Sequence, residues 1–148
     1  MRLQWLGLVT ACALVVSTSN AGDKGTSDKD KLQGTWSVAS AIDNGKAAPA
    51  DKTKGVTVTF KGDKMIISMQ GKDEKMEGTF TVDSTKKPKE MDVDFGKGMK
   101  GTGIYEFDGD SLKIAHGEFG DARPKTFDSK EGSKVSVMVL KREKSDKK

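Results

Sequence analysis

Cysteine, histidine and proline are all scarce in this chain of 148 residues. It holds one cysteine (Cys12), one histidine (His116) and three prolines (Pro49, Pro88 and Pro124). A lone cysteine excludes an intrachain disulfide framework. One cysteine and one histidine do not furnish a zinc site of ordinary make-up. No apolar run reaches the roughly 20 residues that a helix needs to span a bilayer. Beyond the N-terminal segment, no helical periodicity of ordinary length appears. A dominant charge is missing as well: 26 Lys and Arg are interspersed with 22 Asp and Glu, for a formal net charge of +4. That pattern is a solvated surface of mixed sign, not a footprint for nucleic acid. Glycine is plentiful at 17 residues, but it lies in turns, with no phosphate loop opening a helix. No Ser/His/Asp arrangement can be assembled either. The chain therefore reads as non-enzymatic, with no cofactor and no metal.

The first 21 residues have the anatomy of a secretory signal peptide. Arg2 is a short positive start, Leu3 to Val16 is mostly apolar, and Ser19 and Ala21 occupy the −3 and −1 positions of a cleavage site. Val9-Thr10-Ala11-Cys12 loosely fits a lipoprotein box, which would make Cys12 a lipidated N-terminus. The apolar run continues to Val16, past the point where a lipoprotein turns polar, and this favours simple cleavage near Ala21. The expectation is a secreted or periplasmic protein without cysteine, its net charge lowered by one when Arg2 is removed. Residues 22–31 are small, polar and charged and read as a linker, in which residues 28–33 can form one helical turn. Residues 144–148 read as a charged tail.

Between these ends the period is two. Trp36 and Val38 share one face of a first strand over residues 35–42, and Asn44-Gly45 marks a turn. Val56, Val58 and Phe60 alternate with polar residues, as do Met65, Ile67 and Met69, and then Met76, Gly78, Phe80 and Val82. Met91, Val93 and Phe95 follow, then a connection marked by Gly96, Gly98 and Gly101. Tyr105 and Phe107 share a face opposite Ile104 and Glu106. Leu112 and Ile114 alternate with Lys113 and Ala115. After a longer loop over residues 116–133, Val135, Val137 and Val139 interleave with Ser136, Met138 and Leu140.

Eight strands joined mostly by short turns favour an all-β, antiparallel up-and-down barrel over residues 32–143, preceded by the helical turn. An outer-membrane barrel alternates in the same way. It needs strands of about 9–11 residues and aromatic girdles, whereas these runs span mostly five to eight. The apolar face is therefore expected to point inward, supplying about twenty large side chains to one interior, which suffices for a domain of this size.

Several ordered segments carry a resemblance. They are Leu32 to Trp36, Phe60 to Lys64, Gly78-Thr79-Phe80, Lys86 to Lys89, Gly103 to Asp110, Arg123-Pro124 and Val139 to Glu143. Over about three quarters of its length the chain resembles an uncharacterised lipocalin-like (calycin-type) domain family of secreted planctomycete-type bacterial proteins. The resemblance implies a barrel outside the cytoplasm and carries no activity. The Gly-x-Trp opening is shared with true lipocalins. Their Thr-Asp-Tyr signature and C-terminal helix are missing, so ligand transport does not follow from it. The lipocalin pattern also places a basic residue of the last strand over this Trp, and Arg142 is that residue here.

The inward face is the candidate site. Trp36, Phe60, Met65, Met69, Met76, Phe80, Tyr105 and Phe107 are expected to line it. Methionine suits an adaptable apolar cavity and equally fills gaps in a packed core. The function is thus either binding of a small apolar or amphipathic ligand, or a filled barrel acting through its surface as an interaction or inhibitor module. Arg123, in the longest loop beside Phe119 and Phe127, is expected either to pin a lid or meet an anionic head group, or to pair with an acid. His116 is read as an imidazole in a loop, with haem ligation the sharper alternative. Asp92/Asp94 and Asp108/Asp110 read as solvating or turn-forming pairs, with weak Ca²⁺ binding as the alternative.

Overall fold

A computed structural model of the chain describes residues 27–144. The signal segment, Cys12, residues 22–26 of the linker and residues 145–148 lie outside the described residues. The elements are α1 (Asp28–Leu32), β1 (Gly34–Asp43), β2 (Lys46–Ala47), α2 (Ala50–Thr53), β3 (Val56–Lys61), β4 (Lys64–Met69) and β5 (Lys75–Asp83). They continue with β6 (Lys89–Asp94), β7 (Lys100–Asp108), β8 (Ser111–Gly117) and β9 (Val135–Arg142). The strand β2 is a two-residue hairpin arm on β1. The other eight strands pair in sequence order, all antiparallel, and β1 closes on β9. The result is a closed eight-stranded up-and-down barrel, which leaves no long exposed edge.

The alternation sets the inward face. Val58 pairs with Ile67 and Phe60 with Met65, Phe80 with Val93, Tyr105 with Ile114 and Leu112 with Leu140. These residues pack together with Leu32, Trp36 and Met91 as the main core. Outward positions of the same strands include Thr57, Thr59, Glu77, Thr79 and Asp92. That is a face for water, not the apolar band of a lipid-facing barrel.

Three features depart from the sequence expectation. The apolar residues do not share one interior. Ile104, Ala115 and Val137 point outward and form a second small core under Phe127 and Val135. Within β9 the inward residues are Met138 and Leu140, and the longest loop folds down the outer wall to cover the second core. A bulge at Ala39, between Val38 and Ser40, resets β1 against β9, so Val38 pairs with Leu140 and Ala41 with Met138. Finally, Gly101 is not in a flexible connection. It belongs to β7 and pairs with Val93.

The two barrel ends differ. Helix α1 and the turns after β3, β5 and β7 gather at one end, which α1 plugs with fully buried Leu32. Ser27 caps α1, accepting from the Asp30 amide. Residues 28–31 are thus part of the fold, not of the linker. The connections after β4, β6 and β8 gather at the opposite, open end.

Candidate functional site

At the closed end every inward position is filled. Trp36 is 1% exposed, and its Nε1 donates to the Leu32 carbonyl at 2.8 Å. The Arg142 guanidinium lies 4.2 Å from the Trp36 ring centroid, a cation–π contact worth about 0.5–2 kcal/mol. Its Nη1 donates to Gln33 O at 2.8 Å and its Nη2 to Lys31 O. Gly34 makes this possible. Its φ is +115°, and a Cβ there would stand 3.2 Å from Arg142 Nη1, so a side chain would be strained and crowd the guanidinium.

Phe60 meets Phe80 edge to face at 4.9 Å, and Tyr105 meets Phe107 at 5.9 Å. The Tyr105 hydroxyl donates to Asp28 Oδ2 at 2.9 Å, and Lys89 Nζ reaches the same oxygen at 2.7 Å. Burial alone would raise the Asp28 pKa. The hydrogen bonds from Lys89 and Tyr105, with the charges of Lys89 and Lys31, outweigh it and hold the carboxyl below its ordinary value. Burial, then the Asp28 hydrogen bond and charge, push the Tyr105 hydroxyl up. This network locks the plug to β6 and β7.

The open half is different. An apolar cavity of about 240 Å³ lies there, lined by Met65, Ile67, Met76, Val93, Ile114 and Met138, among others. Phe95 and Phe119 meet edge to face at 6.0 Å and also line it, and Phe119 is half exposed. The cavity exists because of glycine. The inward positions of β7 run Gly101, Gly103, Tyr105, Phe107, so the strand wall is bare at one end and aromatic at the other. A Cβ on Gly101 would sit 3.0 Å from Val93 Cγ2 and 3.6 Å from Phe119 Cδ1. One on Gly103 would meet the Ala115 carbonyl oxygen at 2.6 Å, closer than any real Cβ contact. Two strands away, on β5, Gly78 admits the Phe95 ring, which lies 2.7 Å from where a Cβ would be.

Of the residues expected to line a cavity, Met65 and Met76 do so. Trp36, Phe60, Phe80, Tyr105 and Phe107 instead belong to the packed closed half, because plug, rings and cations consume that volume. Met69 ends β4 at the open end, 41% exposed, and is not among the lining residues. Arg123 is outside the barrel. Its Nη1 donates to Gly103 O at 2.7 Å and Met91 O at 3.3 Å, and its Nη2 pairs with Asp92 at 2.6 Å. Glu90 lies 3.6 Å from its Nε. Arg123 therefore clamps the outer seam of β6 and β7 by pairing with acids, beside an outer pocket that it lines with Lys86, Lys87 and Lys125. Asp92 is held by that clamp. Asp94 lies 3.6 Å from Lys100 Nζ and accepts from the Gly96 amide.

Sequence reasoning missed one lining residue of chemical interest. His116 is not in a loop. It is the penultimate residue of β8, on the inward face, pairs with Gly103 and lines the cavity. The period-2 continuation from Leu112 and Ile114 points to this placement. No family model matches the chain, and no curated protein or solved structure is significantly similar to it.

Proposed function

We propose that the protein is a secreted or periplasmic barrel that binds a small apolar molecule in its open half. The observation that carries this reading is the glycine-walled apolar cavity of about 240 Å³. Lined almost wholly by hydrocarbon and sulfur, it offers water few polar partners. An apolar cavity of about 150 Å³ can stay dry and take up benzene, so this one has room for a substituted ring or short alkyl chain. It falls below the roughly 300–1,000 Å³ of sites for drug-sized ligands, which argues against long acyl chains and tetrapyrroles. The signal-like N-terminus supports placement in the envelope.

Native mass spectrometry of protein taken from its native envelope, with toluene titration of the emptied protein, tests this. The expectation is a small apolar adduct, and saturable toluene binding that weakens from wild type to Gly101→Ala to Gly101→Val. No adduct together with no toluene binding contradicts the reading and leaves the barrel as a surface module.

A further inference from the structure

Resting on that cavity reading, we infer that His116 makes the site selective for a small neutral hydroxyl compound, a phenol above all, by presenting an imidazole acceptor in a chamber whose one other polar side chain, Thr102, donates its hydroxyl to Asp121 O at 3.4 Å. The imidazole stands on the inward wall of β8, and its Nδ1 lies 3.0 Å from the Gly117 carbonyl oxygen. A carbonyl oxygen only accepts, so Nδ1 carries the proton. In the neutral ring Nε2 is then the acceptor, and the second nitrogen is set by the bond the first one makes. Among the described residues no group bonds Nε2. The ring lines the cavity across from Gly103, a strand partner with no side chain to set against it.

The rest of the lining narrows the ligand class. His116 is the only titratable side chain among the lining residues, and no Lys, Arg, Asp or Glu stands among them. A carboxylate or an ammonium ion would therefore lose its hydration with no counter-charge, which is strongly unfavourable. A pure hydrocarbon would fill the chamber but cover Nε2 without replacing its water. A phenol places its ring against Phe95, Phe119 and the methionines and its O–H on Nε2. Sites built to hydrogen-bond a hydroxyl discriminate against the analogue that lacks it.

The test uses the chain with residues 1–21 removed and two probes of nearly the same shape, 4-methylphenol and toluene. Calorimetric affinities are measured for wild type, His116→Leu and His116→Gln. The expected result is that the preference for 4-methylphenol over toluene falls at least tenfold in His116→Leu and is partly restored in His116→Gln. In wild type, ¹⁵N spectra should show the His116 Nε2 resonance moving with 4-methylphenol and staying put with toluene. This readout stands even if a variant fails to fold. An unchanged preference in His116→Leu, or an Nε2 resonance indifferent to the phenol, overturns the role of His116 while leaving the cavity reading intact. Failure of both probes to bind wild type removes the cavity reading, and this inference with it.

Discussion

The two halves of the barrel are built on the same eight strands, yet they solve opposite problems. In β7 the inward residues change from Gly101 and Gly103 to Tyr105 and Phe107 within seven residues. The aromatic half is closed by a helix, capped by Arg142 and Lys89, and held by the buried Trp36–Leu32 and part-buried Tyr105–Asp28 hydrogen bonds. The glycine half keeps an apolar chamber whose mouth carries the exposed side chains of Met76 and Phe119. One end supplies the packing that folds the barrel, which allows the other end to stay underfilled. Eight strands enclose only enough room for side chains or one small ligand, so every bare inward position matters.

The largest expected effect is at the packed end. Trp36→Ala should destabilise the protein by about 3–5 kcal/mol, since it empties a large buried site. Met76→Ala, at a rim position 41% exposed, should cost only about 1 kcal/mol. Urea unfolding of both variants measures the contrast, and equal losses would break the division between a packed half and a half that keeps a cavity.

Next comes the plug. Asp28→Asn should cost about 1–3 kcal/mol at neutral pH, because Lys89 and Tyr105 lose a charged acceptor. The pH dependence has a definite sign. The Asp28 pKa is lowered on folding from an ordinary value of 3.8. Its stabilisation is therefore full above that value and is lost as pH falls through the lower, folded one. Wild type and Asp28→Asn should converge in acid and diverge towards neutrality. A constant difference across that range would show that the carboxylate charge is not what holds the plug.

Arg142→Ala should cost about 1 kcal/mol, combining a cation–π contact with hydrogen bonds to exposed carbonyls. Trp36 is the only tryptophan after Ala21, so its fluorescence reports the change directly, and an unaltered spectrum and stability would remove Arg142 from barrel closure. The smallest stability effect is expected at Gly101. Gly101→Val gains strand propensity and crowds Val93, leaving stability within about 1 kcal/mol of wild type while toluene binding weakens at least tenfold. That separation of stability from binding is the sharpest form of the contrast.

Much of the barrel was legible because alternation is strict where one face is buried and the other wet. Val56 to Phe60 and Met76 to Val82 show this directly, and the turns at Gly62 and Gly109 punctuate it. Legibility failed where both faces are covered. The alternation sets Ile104 and Ala115 opposite the inward residues but does not show that a folded-back loop buries them, Val137 looks like an interior residue, and the bulge at Ala39 is invisible to a period of two. The cavity was misread for a related reason. Glycine signals turns, so the sequence groups Gly101 with Gly96 and Gly98, although it sits two residues from Gly103 and four from Tyr105 on one face. Aromatic and methionine content pointed to a ligand chamber, but large side chains fill space. The chamber lies where they are missing. Arg123 likewise suggested anion recognition, and only the fold brings Glu90, Asp92 and two carbonyls to it.

The most direct test is a methyl-resolved ¹H–¹³C NMR titration of the chain lacking residues 1–21 with toluene. The methyls of Ile67, Val93, Ile114 and Met138 should shift together and saturate, while those of Leu32, Val58, Leu112 and Leu140 in the packed half stay in place. Shifts spread over both halves, or none at any methyl up to the solubility limit of toluene, would contradict a ligand chamber confined to the glycine-walled end.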